Sequence, residues 1–164
     1  MLGLDHSLCF DQCALDDQVG GMDATLMNGA TCTPGEGVVF DGVDDYVDLE
    51  DQLLGGPMTI AFWARWDALN SWSRVVSSTD DGYVDPYGMA VTVGHEPTSM
   101  TRANHWLGRS AWSSNGYFQG AIKSMQIWSR ALDAAEVASL YALGGACLAT
   151  PSLAPTAPPT PTAL

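Results

Sequence analysis

Gly37-Val-Val-Phe-Asp-Gly-Val-Asp-Asp-Tyr-Val-Asp-Leu49 reads as strand, turn, strand. Val38-Val39-Phe40 is a β-branched and aromatic run, the side chains that fit a pleated surface. Asp41-Gly42 supplies turn chemistry, because glycine tolerates positive φ and aspartate bonds its own backbone. Beyond the turn, Tyr46 and Asp48 alternate with Val47 and Leu49, the period of a half-buried strand. The stretch therefore predicts a hairpin around Asp41-Gly42. After Gly55-Gly56-Pro57 comes Met58-Thr-Ile-Ala-Phe-Trp-Ala-Arg-Trp66. Its odd and even positions are both largely apolar, which predicts a central strand covered on two sides, with Trp63 and Trp66 in the core.

Further out, Leu4–Leu15 alternates loosely and suits an edge strand. Thr25–Thr31, Arg74–Ser78, Tyr87–Val93, Trp106–Ser110 and Ala121–Trp128 read as further strands. The loops between them carry Gly, Pro, Asn and Asp. A helix is predicted at Asp133–Leu143. Asp133 and Glu136 form a capping box, Leu132 and Val137 a hydrophobic staple, and Gly144 a stop. Residues 1–146 thus form one all-β domain, an antiparallel sandwich with one short C-terminal helix. Residues 147–164 contain five prolines and no charge, so they read as a Pro/Thr-rich disordered tail or linker. A tail of this kind suits a chain that is part of a longer multidomain protein.

The 164 residues carry a net charge of −13, with only six Lys and Arg. Nucleic-acid grooves and anionic membranes need clustered positive charge, so neither is an expected partner. No stretch approaches the ~20 apolar residues of a membrane span. Cys9, Cys13, Cys32 and Cys147 lack zinc spacing and allow three pairings; disulfides and free thiols both stay open. The N-terminus has no secretory signal, so the chain is either intracellular or a piece of a longer secreted one.

"FDGVDDYVDL" followed by "TIAFWARW" resembles the LamG-like jelly roll of the concanavalin A-like lectin/glucanase superfamily. "DDQVGGMDATLMNGAT" and the closing "WLGRSAWSSNGYFQGAIKSMQIWSRALDAAEVASLY" are similar to two further motifs of that family. The resemblance implies a jelly roll whose first strand pairs near the C-terminus. Fewer strands than usual lie between Tyr87 and Trp106. It also implies an extracellular or cell-surface setting and a non-catalytic module that binds a glycan or an extracellular protein. The alternatives are a structural or adhesion spacer and, third, a glucanase. The glucanase branch sets its carboxylates as Glu-x-Asp-x-x-Glu. Here Glu36, Glu50, Glu96 and Glu136 stand apart, so no retaining pair ~5–5.5 Å apart is expected. His6, His95 and His105 accompany no nucleophile elbow.

Two kinds of site remain. Calcium needs 6–8 oxygens, and Asp16, Asp17 and Asp23 around Gly20-Gly21 are the candidate ligands. Lys123 and Ser124 occupy positions where the family commonly carries acidic residues, which argues against that second version of the site. A glycan site needs aromatic faces with polar neighbours. Trp72 and Trp112 are the candidates, flanked by Asn70, Arg109 and Asn115. Trp106 is the weaker choice, because it opens a strand and is expected to point inward.

Overall fold

The computed structural model describes residues 3–79, 99–102 and 104–147. The strand expected at Tyr87–Val93 and the tail at residues 148–164 lie outside them. The strands are β1 (Leu4–Leu8), β2 (Ala24–Met27), β3 (Thr31–Thr33), β4 (Gly37–Asp41), β5 (Tyr46–Leu49) and β6 (Gln52–Leu54). There follow β7 (Thr59–Ala68), β8 (Val76–Thr79), β9 (Met100–Arg102), β10 (Asn104–Leu107) and β11 (Gln119–Trp128); helix α1 (Ala134–Ala142) closes the described chain. All described pairings are antiparallel. One sheet contains β1, β11, β4 and β3, with β7 also on β11. A second runs β2-β5-β10-β8, and β6 pairs with β9. The fold is the all-β sandwich that the pattern implies.

β11 is the strand on which the larger sheet is built. One edge pairs first with β4 and then with β1, while the other runs the length of β7. Such crowding needs backbone without side chains at two points. Gly120 has φ +153°, and a Cβ there would collide with the Arg65 carbonyl; at Gly37, φ +96°, a Cβ would collide with that of Ile122. Both faces of β11 are buried. Ile122, Met125 and Ile127 join Leu8, Val38 and Phe40 in the core, where Val47, Leu49 and Leu107 meet them from the second sheet. Each such side chain contributes about 1.5–3 kcal/mol of transfer free energy when fully buried.

Three expectations change. The stretch Gly37–Leu49 is not a hairpin. β4 lies in the larger sheet and β5 in the four-stranded one. The reason lies in the carboxylates. Asp45, 5% exposed, accepts from the Asp41 amide at 2.9 Å, and Asp41 accepts from Val43 at 2.8 Å. These bonds satisfy donors within the turn itself and carry the chain across to the second sheet. β7 is not a central strand among the described residues. It pairs only with β11, and no residue along it is fully buried. Trp66 is 47% exposed, edge-on to Phe118, and Trp63 is half-buried against Tyr141, so neither is a core residue.

Two disulfides resolve the cysteines: Cys9–Cys147 and Cys13–Cys32. The first spans 138 residues and ties the end of the described chain back to the 3-10 turn Phe10–Gln12. Cys147, read as the first tail residue, is therefore anchored to the sandwich.

Candidate functional site: the loop rim

Four loops meet at one end of the sandwich, and side-chain amides hold them together. Asn70 Nδ2 donates to the Gly42 carbonyl at 3.2 Å and the Tyr117 carbonyl at 2.9 Å. Asn28 Nδ2 donates to the Asp44 carbonyl at 3.1 Å. The Gly116 amide reaches the Ser71 carbonyl at 2.8 Å, and Gly108 reaches Val75 at 3.0 Å. Ser110 Oγ accepts from both the Trp112 amide and Asn115 Nδ2, at 3.2 and 2.8 Å. Asn70 and Asn115, expected to touch a ligand, are instead engaged in building the rim.

The pinned loop presents Trp72. Its ring is 71% exposed and its φ is +57°, the left-handed region that a bulky residue rarely adopts. Such backbone costs of order 1–3 kcal/mol and persists only where surrounding bonds over-determine it. Here those bonds come from Asn70, on both sides of the loop, and from Ser71. Leu69, at 85% exposed, stands three residues away. Trp112 is half-buried, with the Arg74 guanidinium 5.9 Å from its ring centre.

Beside the rim, the outer face of the four-stranded sheet holds a stack that sequence reasoning missed. Arg109 lies 4.2 Å from the Trp106 ring centre and 4.8 Å from that of Tyr46, and these two rings meet edge to face at 6.3 Å. Trp106 points outward, contrary to expectation. Its register opposite Asp48 puts it on the polar row of the sheet, while its neighbours His105 and Leu107 face the core. The usable signal was the alternation of Tyr46 and Asp48 with Val47 and Leu49. Burial raises the Asp48 carboxyl above its ordinary range, against the pull of the Trp106 N–H and Arg109. A recess of about 550 Å³ opens next to Asp48, lined by Thr25, Glu50 and Asp51.

The calcium expectation fails at Asp17. Its carboxylate accepts from the amides of Ser7, Val19 and Met22, at 2.8, 3.0 and 3.2 Å, and meets His6 Nδ1 at 2.7 Å. Burial opposes its ionisation, but these bonds outweigh it and hold the carboxyl below its ordinary value. Asp23 accepts from the Asp17 amide at 2.8 Å, and Asp16 stays exposed. The three residues brace a loop and do not gather as ligands. The described carboxylates that do converge are Asp41, Asp44 and Asp45, within 4.8 Å of one another. Asp41 and Asp45 serve the turn backbone, as described above.

Of the remaining candidates for chemistry, Glu50 is exposed at the recess beside Asp48 and others are engaged. Glu36 pairs with Arg65 at 2.7 Å. Glu136 pairs with Arg130 and closes the capping box. His105 is buried, which depresses its pKa. His95 and Glu96 lie outside the described residues. The rim can therefore stack and hydrogen-bond a ligand.

The described strands form an antiparallel sandwich with a loop-built rim. A family model, Laminin_G_3 of the concanavalin A-like lectin/glucanases superfamily, matches residues 83–138. The chain is similar to that family, as its own motifs imply. No curated protein and no solved structure matches it.

Proposed function

We propose that this domain is a non-catalytic recognition module that binds a glycan on its rim. The observation that carries the reading is Trp72, an exposed indole held in a costly conformation by a loop pinned at both ends. An aromatic face gives apolar contact area at little entropic cost, the property a sugar ring uses. Trp112 and Arg109 lie on the loop that the Gly116–Ser71 and Asn70–Tyr117 bonds join to the Trp72 loop. The absence of a Glu-x-Asp-x-x-Glu run in the sequence supports the non-catalytic part. Two disulfides support an oxidising, extracellular setting.

Glycan-array screening followed by titration calorimetry tests the reading. Trp72→Ala should weaken any glycan hit by about thirtyfold, ~2 kcal/mol, as loss of a hot-spot aromatic does. A folded variant that binds as well as the native chain places the site elsewhere. Leu69 beside Trp72 favours a second reading, an extracellular protein partner. Its signature is an empty glycan array together with Trp72-dependent protein binding.

A further inference from the structure

The helix α1 buries none of its residues, although Val137, Leu140 and Tyr141 form an apolar stripe. Val137 is 51% and Tyr141 73% exposed. Between this stripe and the outer face of the larger sheet runs a groove of about 250 Å³. Trp63 and Tyr141 form its aromatic wall, with ring centres 5.6 Å apart and planes tilted by 51°. Ser124 and Gln126 lie beneath, both nearly fully buried. Gly145 and Ala146 also line it, and a Cβ on Gly145 would strike the Trp63 ring. The helix is fastened around the groove rather than into it. Thr59 Oγ1 holds the approach to α1 through Arg130 and Leu132, and the Cys9–Cys147 disulfide holds the exit.

A groove walled by two inclined aromatic rings with polar groups beneath is the shape that receives a polyproline II segment. Rings pack against proline, and the donors meet the free carbonyls of a helix that has no internal hydrogen bonds. The chain itself supplies such a segment. Pro151-Ser-Leu-Ala-Pro-Thr-Ala-Pro-Pro-Thr-Pro161 begins five residues after Ala146, which lines the groove, and carries no charge to desolvate. At about 3.1 Å per residue its eleven residues can extend about 34 Å, ample to turn back along a nine-residue helix of about 14 Å. We propose that the groove between α1 and the five-stranded sheet is the docking site of the chain's own residues 151–161. The stretch covers the stripe that α1 leaves open.

Hydrogen exchange of the α1 amides in the full chain tests this. Replacing Pro155, Pro158, Pro159 and Pro161 by Ser should speed exchange across Val137–Leu143 by about threefold or more, with β4 and β5 unchanged. In a Tyr141→Ala background, which removes a 73% exposed residue, the same four substitutions should have no effect. A synthetic peptide of residues 151–161, added to the four-serine variant, should restore protection. Equal exchange in the native chain and the four-serine variant overturns the proposal. So does a proline effect that persists in the Tyr141→Ala background, because the segment would then act elsewhere. If the peptide leaves α1 of the four-serine variant unprotected, the proposal is likewise overturned.

Discussion

Trp72 is where the cost of a single residue can be separated from its use. The left-handed conformation is costly for tryptophan and nearly free for glycine. With 71% of its surface exposed, the ring contributes little burial. Trp72→Gly should therefore raise stability by about 1 kcal/mol, read as a higher denaturation midpoint, while abolishing rim binding. A lower midpoint would show that the indole is held by packing and is not strained. Asp17 makes the opposite case. Its side chain is fully buried and accepts three backbone bonds. Asp17→Asn turns an amide group toward those donors and should cost about 3 kcal/mol. Because its carboxyl is depressed below the ordinary 3.8, its contribution is complete above about pH 4 and fades as pH falls further, through the folded value. Millimolar calcium should leave the midpoint unchanged; a rise that Asp17→Asn removes would restore the loop as a cation site. Trp72 was legible as exposed because Ser and Asn surround it. The job of Asp17 was not legible, because its partners Ser7 and Met22 come from either side of a loop whose path only the fold defines.

Among the elements, α1 was the most legible, since caps are local: Asp133 accepts from Ala135 and Glu136, and Glu136 returns to the Asp133 amide. The side-chain bonds to Arg130 and the Asp133 amide hold the Glu136 carboxyl down at about 2. That stabilisation is whole above about pH 4.5 and is lost as pH falls toward 2. The helix buries nothing, so its losses should stay local. Asp133→Ala should cost about 1 kcal/mol, seen as about fivefold faster exchange of α1 amides with the sandwich unaffected. A matching drop in the global midpoint would mean that α1 and the sheets unfold together. The strands were less legible for the complementary reason. β4 and β5 each show their alternation, but whether two alternating segments pair is decided by where the turn donors go. At Asp41–Asp45 they go to carboxylates. β7 misled because apolar residues on both faces imply cover, and pairing on its second edge is a property of the rest of the sheet.

At the scale of the molecule, charge selects among ligands for the proposed rim. The chain carries −13, and Asp41, Asp44 and Asp45 sit in the turn that Asn70 ties to the Trp72 loop. The two arginines there, Arg74 and Arg109, lie over aromatic rings, and Arg109 also faces Asp48. A polyanionic glycan gains affinity by releasing its counterions to free cationic side chains, which this surface does not cluster. Repulsion acts over a Debye length of about 8 Å at physiological salt and reaches further as salt is lowered. Uncharged hexose oligosaccharides should therefore bind with an affinity that changes little between low and high salt. Heparin-like chains should fail to bind even at low salt, where basic lectin surfaces bind them best. Calorimetry of one neutral and one sulfated oligosaccharide across that salt range separates the cases. Tight, salt-sensitive binding of the sulfated chain would refute the charge argument while keeping a glycan site. Binding of neither would remove the glycan reading and leave the protein partner that Leu69 and Trp72 together favour.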